Sequence, residues 1–192
     1  MEKLIKKINK IPKSYFSLAD IRKISGLNDA SLKVALSRLV KSEALIKASH
    51  RLYALPDAII NWEEVAIASY RPSYLSFEWI LAKYNILSQQ PAGLTLATLK
   101  RSKNLATCRN PIIYHHLQES LFWGYEKKDK ILAAHPEKSL IDLAYLSLNG
   151  YAKFDPEEMN LKPLNKNKIK QYLRKINNKK LTNLVNSIYD KP

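Results

Sequence analysis

The fold of this chain depends on one stretch near its amino terminus, S31-L-K-V-A-L-S-R-L-V-K41. At 3.6 residues per turn, one side of a helix here carries apolar residues at core-facing spacing: Leu32, Ala35, Leu36 and Leu39. The other side carries Ser31, Val34, Ser37, Arg38 and Lys41, with Lys33 at its edge. Hydroxyls and cations in one stripe suit contact with phosphates, although most charged helix faces are only solvated. The flanking segments help to decide between these interpretations.

Those segments predict two further helices and a hairpin. Residues 4–11 and 18–25 have helical spacing, and residues 46–55 predict two short strands joined near Ser49-His50. The expected boundary residues are Pro12, Ser17 as an N-cap, Gly26 as a left-handed C-cap, and either Asn28 or Asp29 as the cap of the third helix. This order is typical of a winged helix-turn-helix, whose second helix of the pair enters the major groove of DNA.

The charge of the chain favours a polyanionic partner. Its 192 residues include 32 Lys and Arg against 17 Asp and Glu, a formal net charge of +15. Residues 1–60 contain 12 basic and 5 acidic residues and residues 151–192 contain 10 and 4, whereas residues 61–150 contain 10 and 8. The positive charge is therefore concentrated at the two ends of the chain, and the middle is nearly neutral. Such basic ends favour contact with a polyanion, which could be nucleic acid or an anionic membrane surface.

The cellular setting predicted by the sequence is cytoplasmic. Cys108 is the only cysteine, so no disulfide forms within the chain. Lysines interrupt the apolar residues of the amino terminus too often for a signal peptide. No stretch approaches the roughly 20 apolar residues that a transmembrane helix needs, and we expect no membrane partner.

The rest of the chain predicts mixed helices and strands. Residues 57–71 predict a connector with helical character, and residues 72–87 predict a helix that begins at Pro72 and Ser73. Short apolar runs predict strands at 93–99, 110–117 and 130–135. A further helix is predicted from Pro136, with Leu140, Ile141, Ala144 and Leu148 on its buried side.

The carboxy-terminal segment predicts a basic helical tail. Eight basic residues and no acidic residue lie between Lys162 and Lys180. Helical spacing relates Ile169, Tyr172, Leu173 and Ile176, and a second short helix is predicted around Leu181, Leu184, Val185 and Ile188. We therefore expect an α+β chain with a winged helix-turn-helix domain at 1–56, a connector at 57–71 and a mixed α/β domain at 72–192, whose tail is 151–192.

Two motifs in the second part resemble a known family. They are P72-S-Y-L-S-F-E-W-I-L-A-K-Y-N-I-L87 and A134-H-P-E-K-S-L-I-D-L-A-Y-L146. Behind a winged helix they resemble the AbiEi-type antitoxins of type IV toxin–antitoxin systems, over roughly residues 10–150. The more specific motif matches at Pro136, Glu137, Lys138, Leu140, Asp142, Leu143 and Leu146.

The resemblance implies a transcriptional repressor and antitoxin. The amino-terminal domain would bind double-stranded DNA at an inverted-repeat operator of its own promoter. The carboxy-terminal domain would counter a nucleotidyltransferase toxin encoded beside it, without a stable complex. Neither motif is catalytic in this family.

This chain departs from the family in two places near the DNA-binding helix. The family has a glycine before a V/L-Y pair in the wing, whereas Arg51 precedes Leu52-Tyr53 here, which predicts a wider hairpin turn. The segment after the helix, often Arg-Gly in relatives, is Ser42-Glu43-Ala44, and Glu43 weakens the local positive field.

Seven residues are the expected DNA contacts. Arg38 is placed to read a guanine edge in bidentate fashion, and Asn28 or Ser37 to reach a base or a phosphate. Lys33, Lys41 and Arg51 are better suited to phosphates. The full set of expected DNA-binding residues is Asn28, Ser31, Lys33, Ser37, Arg38, Lys41 and Arg51.

Enzyme chemistry is poorly supported by the sequence. His115, His116, His135 and Cys108 are too irregularly spaced for a zinc site. Glu126-Lys127-Lys128 resembles the end of a nuclease motif but has no suitable upstream acid, and Lys138 and Asp142 read as an ordinary i, i+4 ion pair. We expect no enzymatic activity and no metal or cofactor. The alternative to an antitoxin and repressor is a winged-helix interaction or RNA-binding module without a toxin partner.

Overall fold

The computed structural model describes residues 2–188 and shows a mixed α+β protein. Its amino-terminal elements build a helical cluster against a small antiparallel sheet of order β1-β3-β2. These elements are α1 (Glu2–Asn9), β1 (Phe16–Ser17), α2 (Leu18–Ser25), α3 (Asp29–Lys41), β2 (Ile46–Ser49) and β3 (Leu52–Ala54). Their shared core contains Ile8, Phe16, Ile21, Leu32, Leu36, Leu39 and Leu45.

The predicted capping residues set the boundaries of α2 and the start of α3. Ser17 and Asp20 form a capping box at the start of α2, and Gly26 closes it in the left-handed conformation at φ 68°. Asn28, rather than Asp29, caps α3: its Oδ1 accepts the backbone N–H of Ser31 at 2.9 Å. The predictions for Ser17, Gly26 and Asn28 are confirmed.

The hairpin turn is tighter than the sequence predicts. Ser49 pairs with Leu52, which leaves only His50 and Arg51 in the turn. Arg51 adopts a left-handed φ of 58°, and its carbonyl accepts the N–H of Leu18 at 2.9 Å. The expectation of a wider turn is wrong, because Arg51 takes the conformation that glycine adopts more readily. Glu43, after α3, is also left-handed, at φ 56°.

The remaining elements are the strands of a six-stranded mixed sheet, of order β6-β7-β5-β4-β9-β8, and the helices around it. They are α4 (Trp62–Ser69), β4 (Ser73–Leu75), α5 (Phe77–Lys83), β5 (Leu94–Thr98), β6 (Lys103–Leu105), β7 (Ile112–His116), β8 (Tyr125–Lys128), β9 (Ile131–Ala134), α6 (Pro136–Leu148), α7 (Lys166–Ile176) and α8 (Lys179–Asn186). Residues 119–121 and 156–158 form short 3-10 turns. The strands predicted at 93–99, 110–117 and 130–135 are confirmed as β5, β7 and β9.

The helix predicted over residues 72–87 is partly wrong. Its first residues form β4, which pairs with β5 on one side and with β9 on the other. All three residues of β4 are buried, so the strand shows no alternation of buried and exposed residues, and periodicity does not distinguish it from a buried helix. The helix begins only at Phe77.

The predicted connector contains a helix, α4, that packs on both parts of the protein. Val65 lies in a cluster with Ala48 and Leu52 of the hairpin. Ala66 and Ile67 lie in the core beside the large sheet. One short helix therefore fixes the hairpin relative to the second part.

The basic helices α7 and α8 belong to the main core. The predicted helices are confirmed, and their apolar residues Ile169, Leu173, Leu181 and Val185 cluster with residues of α6. Leu148, predicted to be buried, is 42% exposed in the last turn of α6. The other residues predicted on the buried side of α6 are buried.

Candidate nucleic-acid interface

Helix α3 has the two sides that its spacing predicts. Leu32, Leu36 and Leu39 are buried in the amino-terminal core. The opposite side is exposed and consists of Ser31, Lys33, Val34, Ser37, Arg38 and Lys41. The core contacts thus hold the polar stripe outward on a rigid helix.

A groove of about 850 Å³ lies between α3 and the β2–β3 hairpin. Lys33 and Ser37 line it from α3, and Lys47, His50 and Arg51 line it from the hairpin. Arg22 and Asp29 form an ion pair among its lining residues. We call this surface the α3–hairpin groove.

The seven expected DNA contacts fall into three groups. Lys33, Ser37 and Arg51 come together in the α3–hairpin groove. Ser31, Arg38 and Lys41 are exposed on α3 but do not line that groove. The Oδ1 atom of Asn28 is engaged in the helix cap.

Arg22 pairs with Asp29, but the other cations of this surface have no such partner among the described residues. Among residues 2–188, no carboxylate lies within 4.0 Å of Lys33, Arg38, Lys41, Lys47 or Arg51. By contrast, the nearby Lys13 lies 2.9 Å from Asp20. The groove therefore keeps a positive field that acts on an approaching anion.

Sequence reasoning missed Lys47 and Arg22 and treated His50 only as a turn residue. Lys47 is exposed beside the buried Ala48, so its side chain leaves the core. Its positive charge within the predicted hairpin was the available signal for Lys47. Arg22 had no such signal, because its position depends on how α2 and α3 cross.

The two family-like motifs meet in a buried polar cluster between β4 and α6. The hydroxyls of Tyr74 and Ser76 donate to Oδ2 of Asp142 at 3.0 and 2.8 Å. Lys138 Nζ contacts Oδ1 of Asp142 and donates to the Tyr74 hydroxyl oxygen at 3.2 Å. Both charged side chains are at most 1% exposed. The predicted i, i+4 ion pair of Lys138 and Asp142 is therefore present, and it lies in the core.

Burial governs the electrostatics of this cluster. Desolvation raises the pKa of Asp142 and lowers the pKa of Lys138, and the attraction between the two charges opposes both shifts. The pKa of Tyr74 is raised well above its usual value by burial and then by the charge of Asp142. With its charged groups closed to solvent, the cluster serves to hold β4 and α6 together.

Glu137 in the same motif holds α7. Its Oε1 accepts the N–H of Asn165, the N-cap of α7, at 3.1 Å. Its Oε2 lies 3.2 Å from Lys168 Nζ. A carboxylate at the amino terminus of a helix also interacts favourably with the helix dipole.

The nuclease-like segment does not gather metal ligands. Glu126 lies on β8 with a carboxylate oxygen 3.0 Å from Nδ1 of His135. Within residues 2–188, no group of three or more His, Cys, Asp or Glu side chains is arranged to hold a metal ion.

Comparison with protein-family models gives no match, and no curated protein sequence matches the chain. The class that the structure defines is a mixed α+β protein with a three-stranded and a six-stranded sheet. None of the helices in the described part of the chain combines the length and the apolar character needed to cross a membrane.

Proposed function

We propose that this protein is a DNA-binding autorepressor and antitoxin of a type IV toxin–antitoxin system. The observation that carries the DNA-binding part is the α3–hairpin groove, which Lys33, Lys47 and Arg51 line; within residues 2–188, no carboxylate lies within 4.0 Å of these three cations. Residues 1–56 act as a winged helix-turn-helix in this proposal. The order of α1 to β3 and the exposed stripe of α3 support it.

In this proposal α3 enters the major groove and the hairpin lies against the phosphate backbone. Arg38 on the exposed side of α3 contacts a guanine edge, while Lys33, Lys47 and Arg51 neutralise phosphates. Asn28 contributes by fixing the start of α3.

The antitoxin part of the proposal rests on the resemblance of residues 72–87 and 134–146 to AbiEi-type proteins. In the structure these two segments contact each other through Tyr74, Ser76, Lys138 and Asp142. The functional partner is a nucleotidyltransferase toxin that is countered without a stable complex. Co-expression with the toxin from an adjacent gene tests this part.

Duplex binding should depend steeply on salt. We expect the affinity for an inverted repeat upstream of its own gene to fall as salt rises, because each neutralised phosphate releases counterions. Arg38→Ala should cost about 1–3 kcal/mol on the operator only, while Lys41→Ala should weaken all duplexes evenly. Fluorescence anisotropy with operator and scrambled duplexes measures both. Lys153→Ala, at a remote and exposed site, is the control; a salt-independent affinity contradicts the proposal.

Two left-handed residues beside α3 allow a matched test of charge. Arg51→Gly and Glu43→Gly each relieve a positive φ, so each should raise the free energy of unfolding by about 0.5–1 kcal/mol. Arg51→Gly should weaken duplex binding because it removes a cation from the groove. Glu43→Gly should strengthen binding because it removes an acid. Equal changes in affinity would contradict the placement of DNA at this surface.

The alternative is a winged-helix interaction or RNA-binding module without a toxin partner. Gel shifts with duplex DNA and with structured RNA separate the two, since the repressor prefers its operator duplex.

A further inference from the structure

The basic residues between Lys162 and Lys180 have different surroundings in the structure. Lys168 pairs with Glu137 at 3.2 Å, and Lys175 Nζ lies 4.1 Å from the centre of the Trp123 ring. These two cations fasten α7 to the rest of the protein. Lys170, Arg174 and Lys179 instead line a groove of about 430 Å³ between α7 and α8.

Apart from Leu173, the residues that line this α7–α8 groove are polar, and none of them is acidic. Besides the three cations and Leu173, it is lined by Thr182 and by the asparagines Asn177, Asn178, Asn183 and Asn186. Residues 159–188 contain no Asp or Glu at all. Within residues 2–188, no carboxylate lies within 4.0 Å of Lys170, Arg174 or Lys179.

The three cations of this groove repel one another, at a small cost in stability. Lys170 and Arg174 are four residues apart on one helix, where like charges repel each other. Lys179 brings a third positive charge to the same groove from α8. A bound polyanion would offset this repulsion.

We infer that the α7–α8 groove binds a single-stranded polynucleotide. The cations can pair with the phosphates of such a strand. The asparagine amides can donate hydrogen bonds to its bases and sugars and accept hydrogen bonds from them. An acidic peptide would offer carboxylates to the same cations, so polyglutamate is the competing ligand in the test. A concave basic groove can follow a flexible strand, whereas a duplex is read mainly by elements that enter its own grooves. This inference does not depend on DNA binding by α3.

The test compares two double variants with equal charge. Lys170→Gln/Lys179→Gln removes two groove cations, and Lys162→Gln/Lys180→Gln removes two exposed lysines of the same segment that do not line the groove. The probes are fluorescein-labelled mixed-sequence 12-mers of RNA and of DNA, titrated by anisotropy against the full chain. We expect the groove variant to bind about tenfold more weakly and to lower the logarithmic salt slope by about 1.4. The control should change affinity less than twofold.

Several outcomes would overturn the inference. Equal losses in the two double variants would show that only net charge matters. A groove-dependent affinity that is higher for a duplex or for polyglutamate would assign a different ligand. Operator affinity reports on Arg38 and single-strand affinity on Lys170 and Lys179, so failure of the repressor proposal and failure of this one remain distinguishable. A melting temperature of each double variant that is no lower than that of the unmodified chain shows that the fold is intact.

Discussion

Asp142→Ala should lower the free energy of unfolding by about 3–5 kcal/mol, because it leaves Lys138 as a buried cation without its carboxylate partner. It also removes the acceptor of the Tyr74 and Ser76 hydroxyls. Urea unfolding followed by circular dichroism measures the loss. The matched control is Glu158→Ala, which removes the exposed carboxylate 3.8 Å from Lys153 and should change stability by less than about 0.5 kcal/mol.

A double replacement distinguishes packing from charge in this cluster. Burial opposes the charged form of both Lys138 and Asp142, as the directions of their pKa shifts show. Lys138→Met/Asp142→Leu removes both charges and keeps apolar volume, so it should lose less stability than Asp142→Ala. The single variants Lys138→Met and Asp142→Leu are measured beside it. If their losses in the free energy of unfolding add up to the loss in the double variant, the two side chains do not interact.

The amino-terminal part was predictable because its signals are local. Ser17, Gly26 and Asn28 act on their own helix ends, and the leucines of α3 repeat within one helix. Arg51 shows the limit of that reasoning. Its left-handed conformation is set by strand pairing and by the hydrogen bond to Leu18, neither of which its own sequence neighbours reveal.

The second part was predicted less well because its decisive contacts are distant in sequence. The spacing of Lys138 and Asp142 is the same for an exposed and for a buried pair. Only Tyr74 and Ser76, more than 60 residues earlier, determine which pair it is. Strand β4 was hidden in the same way, since burial on both faces removes the alternation that marks a strand.

The two basic surfaces also differ in what the sequence could reveal. The stripe on α3 follows from spacing within one helix, while the α3–hairpin groove requires Lys47 and Arg51 from another element. For the carboxy-terminal segment, the sequence gives the charge but not its distribution. Which lysines contact Glu137 or Trp123, and which line a groove, depends on how α7 and α8 pack on α6.

Leu181→Ala should cost about 2–5 kcal/mol, because the side chain is fully buried at the start of α8, in the same core as α6. The neighbouring Lys180→Ala, at an exposed site on the same turn, should change stability by less than about 0.5 kcal/mol. Thermal and urea unfolding of the full-length variants measure both.

Removal of the whole segment extends this prediction. A chain that ends at residue 160 would expose apolar residues of the core that α6 shares with α7 and α8. We expect it to unfold at much lower urea concentration or to aggregate, because that core face would be left in water. A truncated chain with unchanged unfolding would show that α7 and α8 are dispensable for folding. If the prediction holds, Lys170, Arg174 and Lys179 lie on helices that are packed into the core. The distances between these cations are then fixed by helix packing, as they would not be in a flexible tail.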